Sequence, residues 1–227
     1  MKKLVIVTPI WREILKEAEF KNIQVSLLNN KNIDHYFIHE ESLTLDFYKS
    51  QFKKSKFLKF KKGTFDSIQT YNLLMLSGSF YKKFLEYKYL LILQTDAILV
   101  KPVDIILKYN YDYVAPNWKK GFKIPPLFKY KILSKMFQIF GFYDVLFIGN
   151  GGLSLRKIST FIELTNKNRL QKFSWMNEDM VFSKVLVKNN FHLPVYKDNL
   201  FFIEEEIFPE KTSQAIGYHA HEIFFKK

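Results

Sequence analysis

The sequence has no cysteine and few glycines and prolines, and these absences exclude several classes of protein. Without cysteine, the 227 residues can form no disulfide, no cysteine-ligated zinc site and no thiol nucleophile. Only 8 glycines and 7 prolines, together with 48% hydrophobic residues, exclude a collagen-like or disordered chain. No apolar run reaches the roughly 18 residues of a membrane-spanning helix. The first apolar run ends at Pro9, which is too short for a signal peptide, so we expect a cytoplasmic protein.

Basic residues are abundant, but almost all of them are lysine. Lys and Arg number 35 against 22 Asp and Glu, which gives a formal net charge of +13. The only arginines are Arg12, Arg156 and Arg169. Because lysine lacks the bidentate geometry of arginine, this excess favours attraction to phosphates or anionic lipid over the reading of nucleic-acid bases. The length and the lack of a low-complexity linker predict a single domain over residues 1–227.

Short apolar runs alternate with amphipathic stretches, which is typical of α/β proteins. The predicted strands are 4–7, 35–39, 89–93, 112–115, 145–148 and 200–203. Helical spacing of apolar residues predicts helices around 14–28, over 67–87 with an interruption near 77–79, and over 157–168 and 178–189. Strands that are apolar on both faces occur where helices cover both sides of a sheet. The pattern therefore predicts a three-layer α/β sandwich with a mainly parallel central sheet.

Polar or glycine-rich residues follow three of the predicted strands. These strand ends are Thr8 and Pro9, then Gln94, Thr95 and Asp96, then the Gly-Asn-Gly-Gly segment 149–152. Ligands of open α/β sheets bind beyond the carboxyl ends of the strands, so these positions are candidate binding residues. A carboxylate such as Asp96, at the end of a buried strand, costs free energy unless it is paired or holds a cation. The alternative for Asp96 is a helix N-cap or an ordinary surface position.

Three further features could carry chemistry. The glycines of 149–152 would let the backbone approach a ligand closely, although a tight turn explains them equally well. Glu178 and Asp179 begin a predicted helix, where a carboxylate either acts as a general base or only stabilises the helix dipole. His219 and His221 are two residues apart, so in a strand they would share one face and could meet a divalent ion. The alternative is a pair of partly exposed histidines without a ligand.

Taken in order along the chain, these features resemble the DUF5672 family, bacterial glycosyltransferases with a GT-A-like fold. The segments that carry the resemblance are Lys3–Trp11, Tyr71–Phe80, Tyr89–Val100, Asp112–Trp118, Ile148–Lys157, Asn177–Asp179 and Gly217–His219. The resemblance implies a GT-A-like, Rossmann-like sandwich. It also implies transfer of a sugar from a nucleotide-sugar donor to a glycan or lipid-linked acceptor in the synthesis of a bacterial surface polysaccharide.

The resemblance implies a metal site as well. Gln94, Thr95 and Asp96 stand at the position of the family's Asp-x-Asp signature, with Gln94 in place of the first Asp. Asp96 would then be the only carboxylate ligand in the motif. His219 matches a histidine near the C-terminus that contacts the metal or the phosphates in many GT-A enzymes. The implied cofactor is a divalent cation, Mn²⁺ or Mg²⁺, held by Asp96 and His219.

The remaining roles implied by the resemblance concern the substrates and the proton transfer. Implied substrate-binding residues are Thr8, Pro9, Thr95, Asn150, Gly151 and Gly152, with Thr8 and Pro9 packing against the nucleotide. Glu178 and Asp179 match the acidic pair of inverting members, and Asp179 is preferred as the catalytic base.

Two basic and aromatic stretches, 49–62 and 119–143, do not fit the family pattern well. Both interleave Lys with large apolar residues and contain no acidic residue. In the second stretch, which we treat as an insertion, Phe128, Ile132, Met136 and Ile139 lie along one helical face, as in helices that lie in a bilayer interface. We therefore expect peripheral contact with the inner face of the cell membrane. The alternative is a charged face over an ordinary core helix.

Two other functions fit parts of the pattern. The positive charge and interleaved aromatics also occur in proteins that bind single-stranded nucleic acid, but no nucleic-acid reading motif is present, and we expect no nucleic-acid partner. Gln94 at the place of an Asp would also suit a non-catalytic, carbohydrate-binding relic of the GT-A fold. The glycosyltransferase accounts for more of the polar strand ends than either alternative.

Overall fold

The computed structural model describes residues 1–126, 130–195, 201–204 and 214–219. Its strands are β1 (Lys2–Pro9), β2 (Asp34–Glu40), β3 (Lys56–Phe60), β4 (Tyr87–Leu93), β5 (Ile98–Leu99), β6 (Tyr113–Val114), β7 (Asn117–Ile124), β8 (Asp144–Ile148), β9 (Leu153–Lys157), β10 (Phe202–Glu204) and β11 (Gly217–His219). Its helices are α1 (Glu17–Asn29), α2 (Asp46–Gln51), α3 (Ile68–Met75), α4 (Gly78–Lys82), α5 (Lys131–Ile139), α6 (Ile158–Asn168) and α7 (Glu178–Lys188). Within these described ranges, no helix has the length and hydrophobicity to cross a bilayer.

Six strands form the central sheet in the order β3-β2-β1-β4-β9-β6. The first four are parallel neighbours, and β9 runs antiparallel to β4 and to β6. Because side chains alternate along β1, Val5 and Val7 join one hydrophobic cluster, and Leu4 and Ile6 join the other. Helices α3, α4, α6 and α7 complete the first cluster, and α1 and α2 complete the second. The predicted α/β sandwich with a mainly parallel sheet is confirmed.

The strand at 145–148 does not belong to the central sheet. It is part of β8, which pairs with β7 in a separate two-stranded ribbon. The place beside β4 is taken by β9, which the sequence pattern does not predict. In β9, Leu153 and Leu155 alternate with Ser154 and Arg156, which suggests a strand or loop with one solvated side. All four side chains are nevertheless buried, so the polar residues conceal the strand.

The basic stretch 49–62 contains β3, an edge strand that the pattern also does not predict. Phe57 of β3 stacks on Phe37 of β2 with ring centroids 5.7 Å apart. Lys56 and Lys59 of the same strand are exposed. Charged side chains along a sheet edge discourage pairing with a second chain. The aromatic residues of this stretch therefore serve the core, and its lysines line the edge.

The other predicted elements are found with shifted ends. The helix over 67–87 is divided into α3 and α4 near Ser77, as expected. The helix expected within 119–143 is α5, although Phe128 lies outside the described residues. The last predicted strand is β10, and Leu200 likewise lies outside the described residues.

A small three-stranded sheet, in the order β10-β11-β5, joins distant parts of the chain. β5 begins two residues after Asp96 and pairs antiparallel with β11, with Ile98 opposite Tyr218. This pairing brings His219 to the end of β4. His219 thus lies in a strand, whose register decides which residue it meets, whereas His221 lies outside the described residues.

Candidate active site

Three loops meet at the edge of the central sheet where β1 and β4 end. Gln94, Thr95 and Asp96 follow β4 directly. The segment 149–152 precedes β9, and because β9 runs antiparallel to β4, its beginning lies at the edge where β4 ends. The Gln94 N–H donates a hydrogen bond to the Gly152 carbonyl oxygen at 2.8 Å. The glycine loop, residues 149–152, thus reaches the expected edge, although β9 rather than the strand at 145–148 places it there.

Asp96 and His219 lie side by side at this edge. His219 Nε2 is 3.6 Å from Asp96 Oδ1. That carboxylate oxygen is shielded from solvent and accepts no hydrogen bond from a residue that the structure describes. A Cβ at position 152 would overlap the His219 imidazole and the side-chain oxygen of Gln94. Only glycine at position 152 therefore leaves room for the imidazole beside Asp96.

The Asp96–His219 pair fits a shared divalent cation. Two ligands about 2.1 Å from one ion can be up to about 4.2 Å apart, so their 3.6 Å separation permits it. A shielded carboxylate oxygen without a donor is the kind of group that a cation satisfies. In the described part of the chain, no group of three or more His, Cys, Asp and Glu could hold an ion. The pair would thus hold a cation together with ligand phosphates, as many Mg²⁺ sites do.

Asp179 lies on the other side of the glycine loop, in the first turn of α7. Its Oδ2 accepts a hydrogen bond from the Gly151 N–H at 3.2 Å, and its Oδ1 accepts one from the Met180 N–H at 2.6 Å. Burial of the carboxyl group and, second, the charge of Glu178 raise the pKa of Asp179 to about 7. The residue remains partly exposed. A carboxylate with a pKa near neutrality and access to a ligand has the properties of a general base.

Glu178 is buried beneath the glycine loop in an ion pair with Arg156. Arg156 Nη2 donates to Glu178 Oε1 at 3.0 Å and to the Gly151 carbonyl oxygen at 3.3 Å. Its Nη1 donates to the Tyr81 hydroxyl at 2.9 Å, and its Nε donates to Ser154 Oγ at 2.9 Å. The guanidinium is fully buried, and a Cβ at position 151 would overlap the Glu178 carboxylate. This network holds the start of α7, and with it Asp179, against the loop.

Arg156 is the member of this site that the sequence analysis does not identify. A fully buried cation needs several partners, and the planar guanidinium supplies donors in fixed directions, which a lysine cannot do. The signal that could have found Arg156 is the use of arginine, in a chain with only three, four residues after the glycine loop.

Three of the predicted substrate-binding side chains are held within the protein. The buried Thr8 hydroxyl is 3.0 Å from His35 Nε2. The Thr95 hydroxyl donates to a carboxylate of α1 at 2.9 Å. Asn150 has a φ of 66°, and its Oδ1 accepts a hydrogen bond from the Gly152 N–H at 3.1 Å. The two threonine hydroxyls are therefore engaged inside the protein, whereas the Asn150 side chain is partly exposed.

A cleft of about 380 Å³ opens next to Gln94 at the same edge. Its walls include Pro9, Trp11, Phe65, Ser67 and Tyr71. The Trp11 side chain is about half exposed, and it also borders an adjoining hollow of about 190 Å³. Hollows of about 610 and 750 Å³ lie elsewhere, beside the beginning of β2 and between α4 and α6, away from the carboxyl ends of the strands. The cleft at Pro9 is therefore bordered by residues at the ends of β1 and β4.

A family model matches most of this chain, and a solved structure has a similar fold. A family model described as "Protein of unknown function (DUF5672)" matches residues 54–219, so β1 and β2 lie outside the match. No curated protein matches the sequence significantly. Among solved structures, the chain is similar to the crystal structure of mouse xyloside xylosyltransferase 1 in its apo form. The TM-score is 0.56 at 10% sequence identity, with 97% of each chain covered, and at this identity the likeness concerns the fold.

Proposed function

The chain belongs to the DUF5672 family, and we propose that it is a GT-A-like glycosyltransferase. It would move a sugar from a nucleotide-sugar donor to a glycan or lipid-linked acceptor in bacterial surface polysaccharide synthesis. One observation carries the proposal: the Asp96–His219 pair and Asp179 converge on Gly152 and Gly151, two neighbouring residues of one loop. The xylosyltransferase-like fold supports the same class of reaction.

Asp96 and His219 are assigned to the donor side. A divalent cation held there, Mn²⁺ or Mg²⁺, would stabilise the charge that develops on the leaving diphosphate. Because the pair offers a single carboxylate, we expect cation binding to depend on the nucleotide. The cleft at Pro9 and Trp11 lies beside Gln94 and offers a flat apolar wall to a nucleotide base.

Asp179 is assigned as the catalytic base. Its carboxylate takes the proton of the acceptor hydroxyl while the hydroxyl oxygen forms a bond to the anomeric carbon of the donor sugar. The bond from that carbon to the diphosphate oxygen breaks, and its electron pair leaves with the nucleoside diphosphate. Attack on the face opposite the leaving group inverts the anomeric configuration. Glu178 is a positioning residue, because its carboxylate is bound to Arg156.

The test is a thermal-shift screen of nucleotide sugars with and without Mn²⁺, since a ligand that binds the native state raises its melting temperature. We expect at least one donor to raise the melting temperature, and Mn²⁺ to add to the shift only when the donor is present. Donor hydrolysis, followed as release of nucleoside diphosphate, then provides an activity assay for the responding donor.

Matched variants separate the assigned roles. Asp96→Asn should lose the Mn²⁺-dependent part of the shift, whereas Asp179→Asn should keep the shift and lose turnover. Asp46→Asn, at an exposed carboxylate of α2, is the control and should change neither. Salt-dependent binding of oligonucleotides without any response to nucleotide sugars would refute the proposal. Donor binding with turnover that is unaffected in both site variants would refute the assignments.

A further inference from the structure

The β7–β8 ribbon and α5 form an arm, residues 117–126 and 130–148, that carries large apolar side chains in solvent. Ile132 is 74% exposed, Ile139 is 82% exposed and Phe140 is 74% exposed. Further exposed apolar residues of the arm are Phe122, Leu133, Met136, Phe137, Phe142, Tyr143, Val145 and Phe147. Contiguous apolar surface of this kind marks interaction sites on soluble proteins.

Helix α5 is amphipathic, and its apolar side is turned away from the protein. At 100° per residue, Ile132, Ile139, Met136, Phe140, Leu133 and Phe137 occupy one half of the helix, and Lys131, Ser134, Lys135 and Gln138 occupy the other. Ser134 is fully buried, whereas Ile139, Ile132 and Phe140 are the most exposed residues of the apolar half. A surface helix ordinarily buries its apolar side against the core. Here Ile132, Met136 and Ile139 of the apolar side are instead exposed to solvent.

The charge of the same segment indicates what covers this side. Residues 117–148 contain six lysines, Lys119, Lys120, Lys123, Lys129, Lys131 and Lys135, against one acidic residue, Asp144, which is paired with Lys184. Two copies of such a segment would repel each other, which disfavours a second copy of the chain as the partner. An anionic lipid surface complements both properties, because its headgroups attract the lysines and its apolar interior accepts the exposed isoleucines.

We infer that the arm docks the protein onto an anionic lipid bilayer, with the apolar half of α5 in the headgroup and acyl boundary. β7 starts beside the glycine loop: the Gly149 N–H donates to the Pro116 carbonyl oxygen at 3.2 Å. The eight residues of β7 span about 25 Å at the usual rise of a strand. This length sets the distance that the arm can span between the glycine loop and α5. If the proposed function holds, docking would place the glycine loop within reach of a lipid-linked acceptor.

The docking test needs neither donor nor acceptor, so its failure is distinct from failure of the proposed function. The full chain is floated with vesicles of phosphatidylcholine, with and without about 30 mol% phosphatidylglycerol. We expect binding to the anionic vesicles at low salt, and loss of most of it at about 0.5 M NaCl. Equal binding to both vesicles, or no binding to either, would overturn the inference.

Two double variants separate the apolar and electrostatic contributions. Ile132→Ser with Ile139→Ser should reduce partitioning into anionic vesicles at least about tenfold. The control, Leu28→Ser with Leu85→Ser, removes two other well-exposed apolar side chains outside the arm and should leave partitioning unchanged. If both double variants bind like the wild-type chain, the arm does not dock.

The lysine pair of α5 tests the charge. Lys131→Gln with Lys135→Gln should weaken binding about fivefold for each lysine at low salt. The matched control is Lys31→Gln with Lys188→Gln, at exposed lysines outside the arm. Equal loss in both double variants would show attraction by net charge alone and would contradict docking through the arm.

The absence of cysteine allows a direct measurement of insertion. Ile139→Cys, labelled with a fluorophore that brightens in apolar surroundings, should respond to anionic vesicles, whereas the same label on Leu85→Cys should not. A label response without vesicles that rises with protein concentration, together with no vesicle binding, would show that a second copy covers the arm and would overturn the inference.

Discussion

Replacing Asp179, the proposed base, with asparagine should make the protein more stable at neutral pH. The ordinary pKa of an Asp is 3.8, and burial beside Glu178 raises the pKa of Asp179 to about 7. Between these two values the folded protein binds a proton that the unfolded chain does not. The free energy of unfolding therefore falls as the pH rises from about 4 to about 7. Asp179→Asn removes this titration and should remove the loss of stability.

The magnitude follows from the difference between the two pKa values. About 3 pKa units at 1.36 kcal/mol each give about 4 kcal/mol when the group is fully sequestered. Asp179 remains partly exposed, and its carboxylate accepts hydrogen bonds from Gly151 and Met180, so we expect about half of this value. At pH 8 the Asp179→Asn variant should thus be about 2 kcal/mol more stable than the wild-type chain, and at pH 4 the two should be equal.

Chemical denaturation at a series of pH values measures this difference without any substrate. Glu163→Gln, at an exposed carboxylate of α6, is the control and should leave the pH dependence of the wild-type chain unchanged. If Asp179→Asn and the wild-type chain show the same pH dependence, the carboxyl group is not held at a raised pKa, and its assignment as a base loses its physical ground. If the proposed function holds, turnover by the wild-type chain should fall as the pH decreases through about 7.

Three other predictions concern the surroundings of this carboxylate. Arg156→Met should lower the free energy of unfolding by about 3–5 kcal/mol, because it leaves the Glu178 carboxylate buried without its cation. Adding Glu178→Gln to this variant should restore at least about 1 kcal/mol. If the effects of the two substitutions simply add in denaturation experiments, Arg156 and Glu178 do not stabilise each other. Gly152→Ala should abolish Mn²⁺-dependent donor binding in the thermal-shift assay, because its methyl group displaces the His219 ring; an unchanged Mn²⁺ response would argue against the pair as a metal site. Asp96→Asn should weaken Mn²⁺ binding at least about tenfold in calorimetry with nucleoside diphosphate present, and full Mn²⁺ affinity in this variant would exclude Asp96 as a ligand.

The strand ends are the part of the site that sequence reasoning identifies best. Buried parallel strands are continuous apolar runs, so a polar residue at the end of one, such as Asp96, is easily recognised. The parallel topology then determines the edge of the sheet at which that residue lies. Thr8 and Thr95 satisfy the same rule, but their hydroxyl groups bond inward. The sequence pattern therefore identifies which residues lie at the end of a strand, but it does not indicate which way their side chains point.

The residues that sequence reasoning misses depend on contacts between distant segments. β9 is hidden because Ser154 and Arg156 are polar yet buried, and their burial depends on Glu178 and Tyr81 from two other elements. The strands that bring His219 to Asp96 have only two or three residues, too few for any periodicity. The His-x-His spacing and the family resemblance both point to His219, and the β5–β11 pairing explains its place beside Asp96.

The pairing of β5 with β11 also has a consequence for the order in which the molecule matures. Asp96 is synthesised long before its imidazole neighbour, and no short-range structure can bring the two together. A folding intermediate with its central sheet formed and β11 undocked would have a core but an incomplete ion site. If Asp96 and His219 hold the proposed cation, Mn²⁺ affinity would be acquired late in folding and would signal that β11 has docked.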